Sequence, residues 1–207
     1  YITITNLLII ETSARSSSIS TALAHEFIEK LTLNTVELNL KNRNLNSDQL
    51  ENLDEEMTTA LRSGVKNPTE LQAKTIAQSD KMIGELDAAD IILIAAPMHN
   101  FTISAQLRTY IDYITRPRKT FGYTEAGPKS LLVDRPCYII STRGGQYGDG
   151  ASDKPNPNDF QSSYLRHILS FIGLTSVELI AANGMAIGDQ PKAEGLAPAL
   201  IKMAAIV

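Results

Sequence analysis

The chain has one cysteine, Cys137, among 207 residues, so no intrachain disulfide can form. That fits a reducing, cytoplasmic setting. Cys137 lies in the apolar stretch Cys137-Tyr138-Ile139-Ile140 with no base beside it, and it reads as a small core residue rather than a reactive thiol. Tryptophan is absent and aromatics make up only 6% of the chain, so an aromatic placed in a loop stands out. No apolar run reaches the roughly 18–20 residues that cross a bilayer, and the segment Tyr1 to Ile10 has no basic n-region and is too short to read as a signal peptide. Positive charge is not in excess: the formal net charge is -4, which argues against a general nucleic-acid binder. No second histidine or cysteine sits at metal-ligand spacing, which excludes a zinc site. Both the G-x-G-x-x-G dinucleotide fingerprint and the P-loop pattern are missing, which disfavours a Rossmann NAD site and an NTP site.

What is present is an alternation of strand and helix patterns. Residues 2–10, 35–40, 91–96, 137–142 and 176–182 read as strands. A serine cap at 16–18 precedes a helix with Ile19, Leu23 and Phe27 spaced by four. Residues 41–66 turn polar and acidic and read as a surface insertion, loop plus short helix. Asn67-Pro68-Thr69-Glu70 reads as a helix start with Asn67 as cap, and Ile76, Ile83 and Leu86 mark the buried face that follows. Leu107, Tyr110, Ile111 and Ile114 mark a helix that Pro117 ends. Residues 120–133 look like a hairpin, 144–158 like a long functional loop, and 160–172 and 193–206 like helices. Five strands joined by helical crossovers predict a doubly wound parallel α/β sheet in one domain spanning 1–207.

In such a sheet a ligand sits outside the carboxyl ends of the strands. Three loops therefore carry the weight. The first, 12–20, places Ser13, Ser16, Ser17, Ser18 and Ser20 at a helix N-terminus. It reads equally as ordinary capping or as a cradle for a monophosphate. The second, Pro97-Met98-His99-Asn100-Phe101, follows the most apolar strand. Asn100 can both donate to and accept from a heterocycle edge, and Met98 and Phe101 can lie against a ring. His99 is a surface loop residue or a proton donor. The third, 142–147, pairs Gly144 with Gly145, either as a simple turn or to let backbone amides approach a flat ligand.

At these same residues the chain resembles the FMN-dependent NADH-azoreductases of the flavodoxin-like quinone reductases. Ala96-Pro97-Met98-His99-Asn100-Phe101, with Ser104 and Leu107 following, is similar to A-P-M-Y-N-F and S-x-x-L-K. Thr120-Phe121-Gly122-Tyr123-Thr124-Glu125-Ala126-Gly127-Pro128 is similar to T-F-x-Y-T-E-x-G-P. Thr142-Arg143-Gly144-Gly145 is similar to S-R-G-G, and Ser170-Phe171-Ile172-Gly173 to G-F-I-G. The chain departs from the pattern at His99, where Tyr is common, at Thr142, where Ser is usual, and in a first loop one residue shorter.

The resemblance implies a flavodoxin-like three-layer sandwich whose five parallel strands run in the order 2-1-3-4-5. It implies bound FMN, NADH as donor and quinones or aromatic azo compounds as acceptors, reduced by two electrons in a ping-pong exchange. It places Ser13, Ser18, Ile19 and Ser20 at the phosphate, Met98, His99, Asn100 and Phe101 along the isoalloxazine, and Thr142, Arg143, Gly144 and Gly145 at its pyrimidine side. Phe101, Tyr123 and Phe171 would line the substrate pocket, Tyr123 and Phe171 from different subunits of a homodimer. No side chain is required as a nucleophile. Two rival readings stand: a flavodoxin-like electron carrier with a shielded flavin, and an FMN-free regulatory descendant of the fold.

Overall fold

The computed structural model of the protein describes residues 4–33, 37–148 and 156–206. Strands β1 (Ile4–Glu11), β2 (Glu37–Asn44), β3 (Ile91–Ala95), β6 (Cys137–Thr142) and β7 (Val177–Ala182) form one sheet, all pairs parallel, in the order β2-β1-β3-β6-β7. Counting sheet strands alone, that is the expected 2-1-3-4-5. A separate antiparallel hairpin, β4 (Phe121–Thr124) and β5 (Gly127–Ser130), occupies the predicted excursion. The helices are α1 (Ile19–Leu33), α2 (Glu55–Arg62), α3 (Glu70–Ala88), α4 (Ala105–Ile114), α5 (Phe160–Ile172) and α6 (Asp189–Ile206).

The central strands are apolar without interruption because both of their faces are buried. Leu7, Ile9 and Leu93 face α1 and α6 through Leu23, Phe27 and Met203. Leu8, Ile10, Ile92 and Ile94 face the other way, onto Met57, Leu61, Met82 and Leu86. Strand β2 is the exception. It is an edge strand, and Leu40 is exposed there.

Four boundaries differ from expectation. Strand β2 runs to Asn44, four residues beyond its predicted end, because its whole length pairs with β1. The 41–66 segment is not merely a surface insertion: Leu45, Met57, Ala60 and Leu61 are buried, and α2 packs on α3. The cap of α3 is Thr69, not Asn67. Thr69 Oγ1 accepts the Gln72 amide at 3.2 Å and the Gln72 side chain accepts the Thr69 amide at 3.1 Å, a reciprocal pair that Asn67 cannot form. Helix α6 starts at Asp189 rather than 193, since Pro191 is tolerated in a first turn whose amides have no helical partner. Residues 2–3 and 35–36 of the first two expected strands, and 149–155 of the long loop, lie outside the described residues.

Candidate active site

The carboxyl ends of β1, β3 and β6 are tied together before any loop departs. Thr12 donates twice to the Ala95 carbonyl, from its amide at 3.2 Å and its hydroxyl at 2.9 Å. Ala96 donates to Ile140 and Met98 to Thr142, each at 2.9 Å. Ser104 caps α4 through the Leu107 amide and donates to the Thr12 carbonyl at 3.2 Å. The three loops thus leave one rigid shelf, and a cleft of about 410 Å³ opens above it. That lies within the ordinary range for small-molecule sites.

The first loop brings Ser13, Arg15, Ser17, Ser18 and Ile19 to the cleft. Ser18 takes the cap position of α1, accepting the Thr21 amide at 3.3 Å and meeting the Ser20 hydroxyl at 2.9 Å. Ser20 itself is fully buried and does not line the cleft. Its hydroxyl supports Ser18, and its backbone amide is what it leaves for the expected phosphate cradle. Among the described residues the amides of Ser17, Ser18, Ile19 and Ser20 donate to no protein acceptor. A helix N-terminus with uncommitted amides is a site for an anion.

The second loop contributes Pro97, Met98, His99 and Asn100. His99 and Thr102 exchange amide hydrogen bonds of 2.9 Å across a two-residue turn. Asn100 (φ 46°) and Phe101 (φ 70°) both occupy the left-handed region at its tip. Phe101, half exposed at 49%, belongs to the rim rather than the cleft lining, and its ring meets Tyr147 edge to face at 6.2 Å. A bulky side chain at positive φ costs energy and marks sites where conformation is imposed for a purpose. The Asn100 side chain has no protein partner among the described residues, so both its donor and its acceptor are available.

The third loop contributes Thr142, Arg143 and Gly144. The carbonyls of Arg143, Gly144 and Gly145 are all taken, by the amides of Met185, Ala186 and Gly184 at 3.0, 3.1 and 2.9 Å. The Gly144 and Gly145 amides, among the described residues, donate to no protein group. Gly145 lies beside the lining and not in it. Arg143 stands at the cleft, where the resemblance places it. Its side chain is fully buried and forms an ion pair with Asp159 at 3.0 Å.

Tyr123 and Phe171 are not brought to this cleft within one chain. They pack with Phe121 on the hairpin and α5, at ring-centroid distances of 5.7 Å for Tyr123 and 4.7 Å for Phe171. A second cleft, of about 310 Å³ between α3 and the β1–β2 face, is lined in part by Leu8, Gly84 and Ala88. It lies away from the strand ends and their uncommitted amides.

A protein-family model described as the flavodoxin-like fold matches residues 5–207. The chain belongs to that family. An FMN-dependent NADH:quinone oxidoreductase 6 from Burkholderia lata is 40% identical over 202 residues, 97% of this chain and 99% of that protein. An FMN-dependent NADH:quinone oxidoreductase from Photorhabdus laumondii is 42% identical over 166 residues, 80% of each chain. Among solved structures, an FMN-dependent NADH-azoreductase from Bacillus anthracis in complex with FMN aligns with a TM-score of 0.84 at 25% identity, covering 98% of this chain and 97% of that one. The azoreductase AzrA gives the same TM-score at 26% identity, covering 97% and 98%.

Within this flavodoxin-like chain the sequence pattern overlooked three cleft residues. Arg15 lies inside the first loop but has no special spacing, whereas Ser17 was already among the cradle serines. Met185 and Ala186 come from the loop after β7, which folds back and pairs with the glycine loop. Met98 and Met185 add the soft apolar surface that suits a flat ring.

Proposed function

We propose that this protein is an FMN-dependent NADH:quinone oxidoreductase, acting also on aromatic azo compounds, that works as a cytoplasmic homodimer of single-domain subunits. One observation carries the reading: uncommitted backbone amides from the α1 N-terminus and from Gly144, with that of Gly145 beside it, meet Met98 and Asn100 at one cleft. An elongated ligand with a phosphate at one end and an electron-rich heterocycle at the other fits that set. Ser13, Ser17, Ser18 and the first α1 amides hold the phosphate, with Arg15 beside them. Met98, His99 and Asn100 lie along the ring, and Thr142 with the Gly144 and Gly145 amides meets its pyrimidine edge.

FMN, when bound, supplies the two-electron exchange between NADH and the acceptor. The chain's residues position and polarise. Backbone amides aimed at the pyrimidine edge stabilise negative charge there without reorganising, which favours the reduced state. Phe101, held in place by its strained turn, gives flat donors and acceptors an aromatic wall. His99, exposed on the cleft wall, is placed to hand a proton to the reduced product.

The substrate pocket is completed by a second copy. Tyr123 is 76% exposed and Phe160 58%, more aromatic surface than a closed pocket leaves in water. A partner's hairpin laid against the Phe101–Phe160 rim would bury both and bring Tyr123 and Phe171 to the site.

The deciding experiment is the visible spectrum of the protein with added FMN, followed by anaerobic NADH. Flavin bands that bleach on NADH, and recover on adding a benzoquinone, support the reductase. Bound flavin that NADH leaves oxidised supports the electron-carrier reading. Absence of FMN binding overturns the site assignment.

A further inference from the structure

Helix α5 begins with a set of buried polar groups that no simple helix start requires. Asp159 is its cap, accepting the Ser162 amide at 2.9 Å and the Ser162 hydroxyl at 2.6 Å. The same carboxylate pairs with Arg143 at 3.0 Å. Arg143 also donates to the Ser162 hydroxyl at 2.7 Å, the Ser141 hydroxyl at 3.2 Å and the Gly148 carbonyl at 3.1 Å. Gln161 continues the chain: its carbonyl oxygen accepts from Ser141 at 2.5 Å and its amide donates to Ala96 at 2.9 Å. The Phe160 amide donates to the Phe101 carbonyl at 3.1 Å. Arg143, Asp159, Gln161 and Ser162 are all buried.

A buried ion pair is poor evidence of stability, because removing both charges from water costs about as much as their attraction returns. Its value lies in fixing geometry. This pair spans from the loop that bears the Gly144 and Gly145 amides to the one helical turn that also holds Ala96, at the root of the second loop, and Phe101, at its tip. The two walls of the cleft are therefore referenced to a single turn of helix.

We propose that Asp159 is a positioning residue for the flavin: acting through Arg143, it sets where the Gly144 and Gly145 amides point. This rests on the reading of the cleft as the FMN site. Asp159 touches no cofactor. It governs affinity and potential by aiming amides that do.

The test uses Asp159→Asn, which keeps the cap acceptor and the shape but removes the charge, with Ser162→Ala as a milder second variant in case the first does not fold. FMN affinity is read by quenching of flavin fluorescence on titrating apoprotein, and the midpoint potential of bound FMN by equilibration with redox dyes. Apoprotein unfolding in urea is followed in parallel. Asp159→Asn is expected to weaken FMN binding roughly tenfold, the equivalent of one charge-assisted hydrogen bond. The midpoint potential is expected to become more negative, because the reduced, anionic flavin loses more than the oxidised form. Ser162→Ala moves both readouts the same way by less. A folded variant with wild-type affinity and wild-type potential overturns the proposal. So does a weaker affinity fully matched by apoprotein destabilisation with the potential unmoved, since that is a merely structural effect. Wild-type protein that binds no FMN sinks the cofactor reading instead, and the two failures are distinguishable.

Discussion

Gln161 reaches from the first turn of α5 to the Ala96 carbonyl at 2.9 Å, at the point where β3 ends and the Pro97 turn begins. Its other atom accepts the Ser141 hydroxyl, so one fully buried side chain bridges the ends of β3 and β6. Replacing it with leucine of similar volume leaves a buried carbonyl without that donor. The expected cost is about 2 kcal/mol, the penalty for stranding buried polar groups. Urea unfolding of the apoprotein checks it: the midpoint should fall with the slope unchanged. A midpoint within error of wild type would mean the bridge contributes nothing net.

Phe101 predicts a trade between stability and activity. At φ 70° its side chain is strained, at a cost on the order of 1–2 kcal/mol that glycine would not bear. Phe101→Gly should leave the apoprotein as stable as wild type or slightly more so, despite losing the edge contact with Tyr147. Quinone reduction should fall by roughly tenfold or more as the aromatic wall is lost. A variant both destabilised and fully active would show that the turn geometry is incidental to substrate binding.

The strands and the hairpin were legible because burial on both faces writes continuous apolar runs, as at residues 91–96, and because Gly127-Pro128 marks a turn; the strand order came from the resemblance alone. The three loops were legible for the same reason: the end of each strand is where the apolar run stops. Directions were not. Nothing adjacent to Arg143 says that its guanidinium pairs with Asp159, because that partner arrives only after a long loop. Ser20 looked like its neighbours but is fully buried, because it lies inside the first turn of α1 with its hydroxyl on that of Ser18. Met185 and Ala186 escaped notice because they belong to the loop after the edge strand β7, which reaches the site only by folding back. The α3 cap was misplaced by two residues because Asn67-Pro68 and Thr69-x-x-Gln72 are both good start signals, and only the second closes a reciprocal pair.

That returning loop makes Gly195 a test of the β7 side. A Cβ there would overlap the Asn183 carbonyl oxygen. Asn183 in turn accepts the Tyr147 amide at 3.2 Å and donates to the Gly148 carbonyl at 2.9 Å. Gly195→Ala must push α6 away from residues 183–186, and Met185 and Ala186 move with it. Overpacking of this kind costs about 1–3 kcal/mol. FMN affinity should drop as well, read by fluorescence titration. A stability loss with FMN affinity intact would place the Met185 wall outside the cofactor site.

Cys137 makes the opposite prediction, of silence. It is fully buried in β6, and desolvation pushes its thiol up to about 12 from an ordinary value near 9.0. The thiolate fraction at neutral pH is therefore about a thousandfold lower than in the unfolded chain. Native protein should resist iodoacetamide with its NADH oxidation unchanged, whereas urea-unfolded protein should be modified promptly. The sign of the linkage follows from the direction of the shift. The folded state holds the thiol proton more tightly, so this contribution is fully present below pH 9 and is lost as pH rises toward 12. Cys137→Ala should accordingly narrow the alkaline fall in stability relative to wild type, while costing a little at neutral pH through the small cavity it leaves. Rapid labelling of the native protein with loss of activity would show instead that β6 opens far enough to expose its first residue. That would also cast doubt on the rigid shelf to which the three site loops are tied.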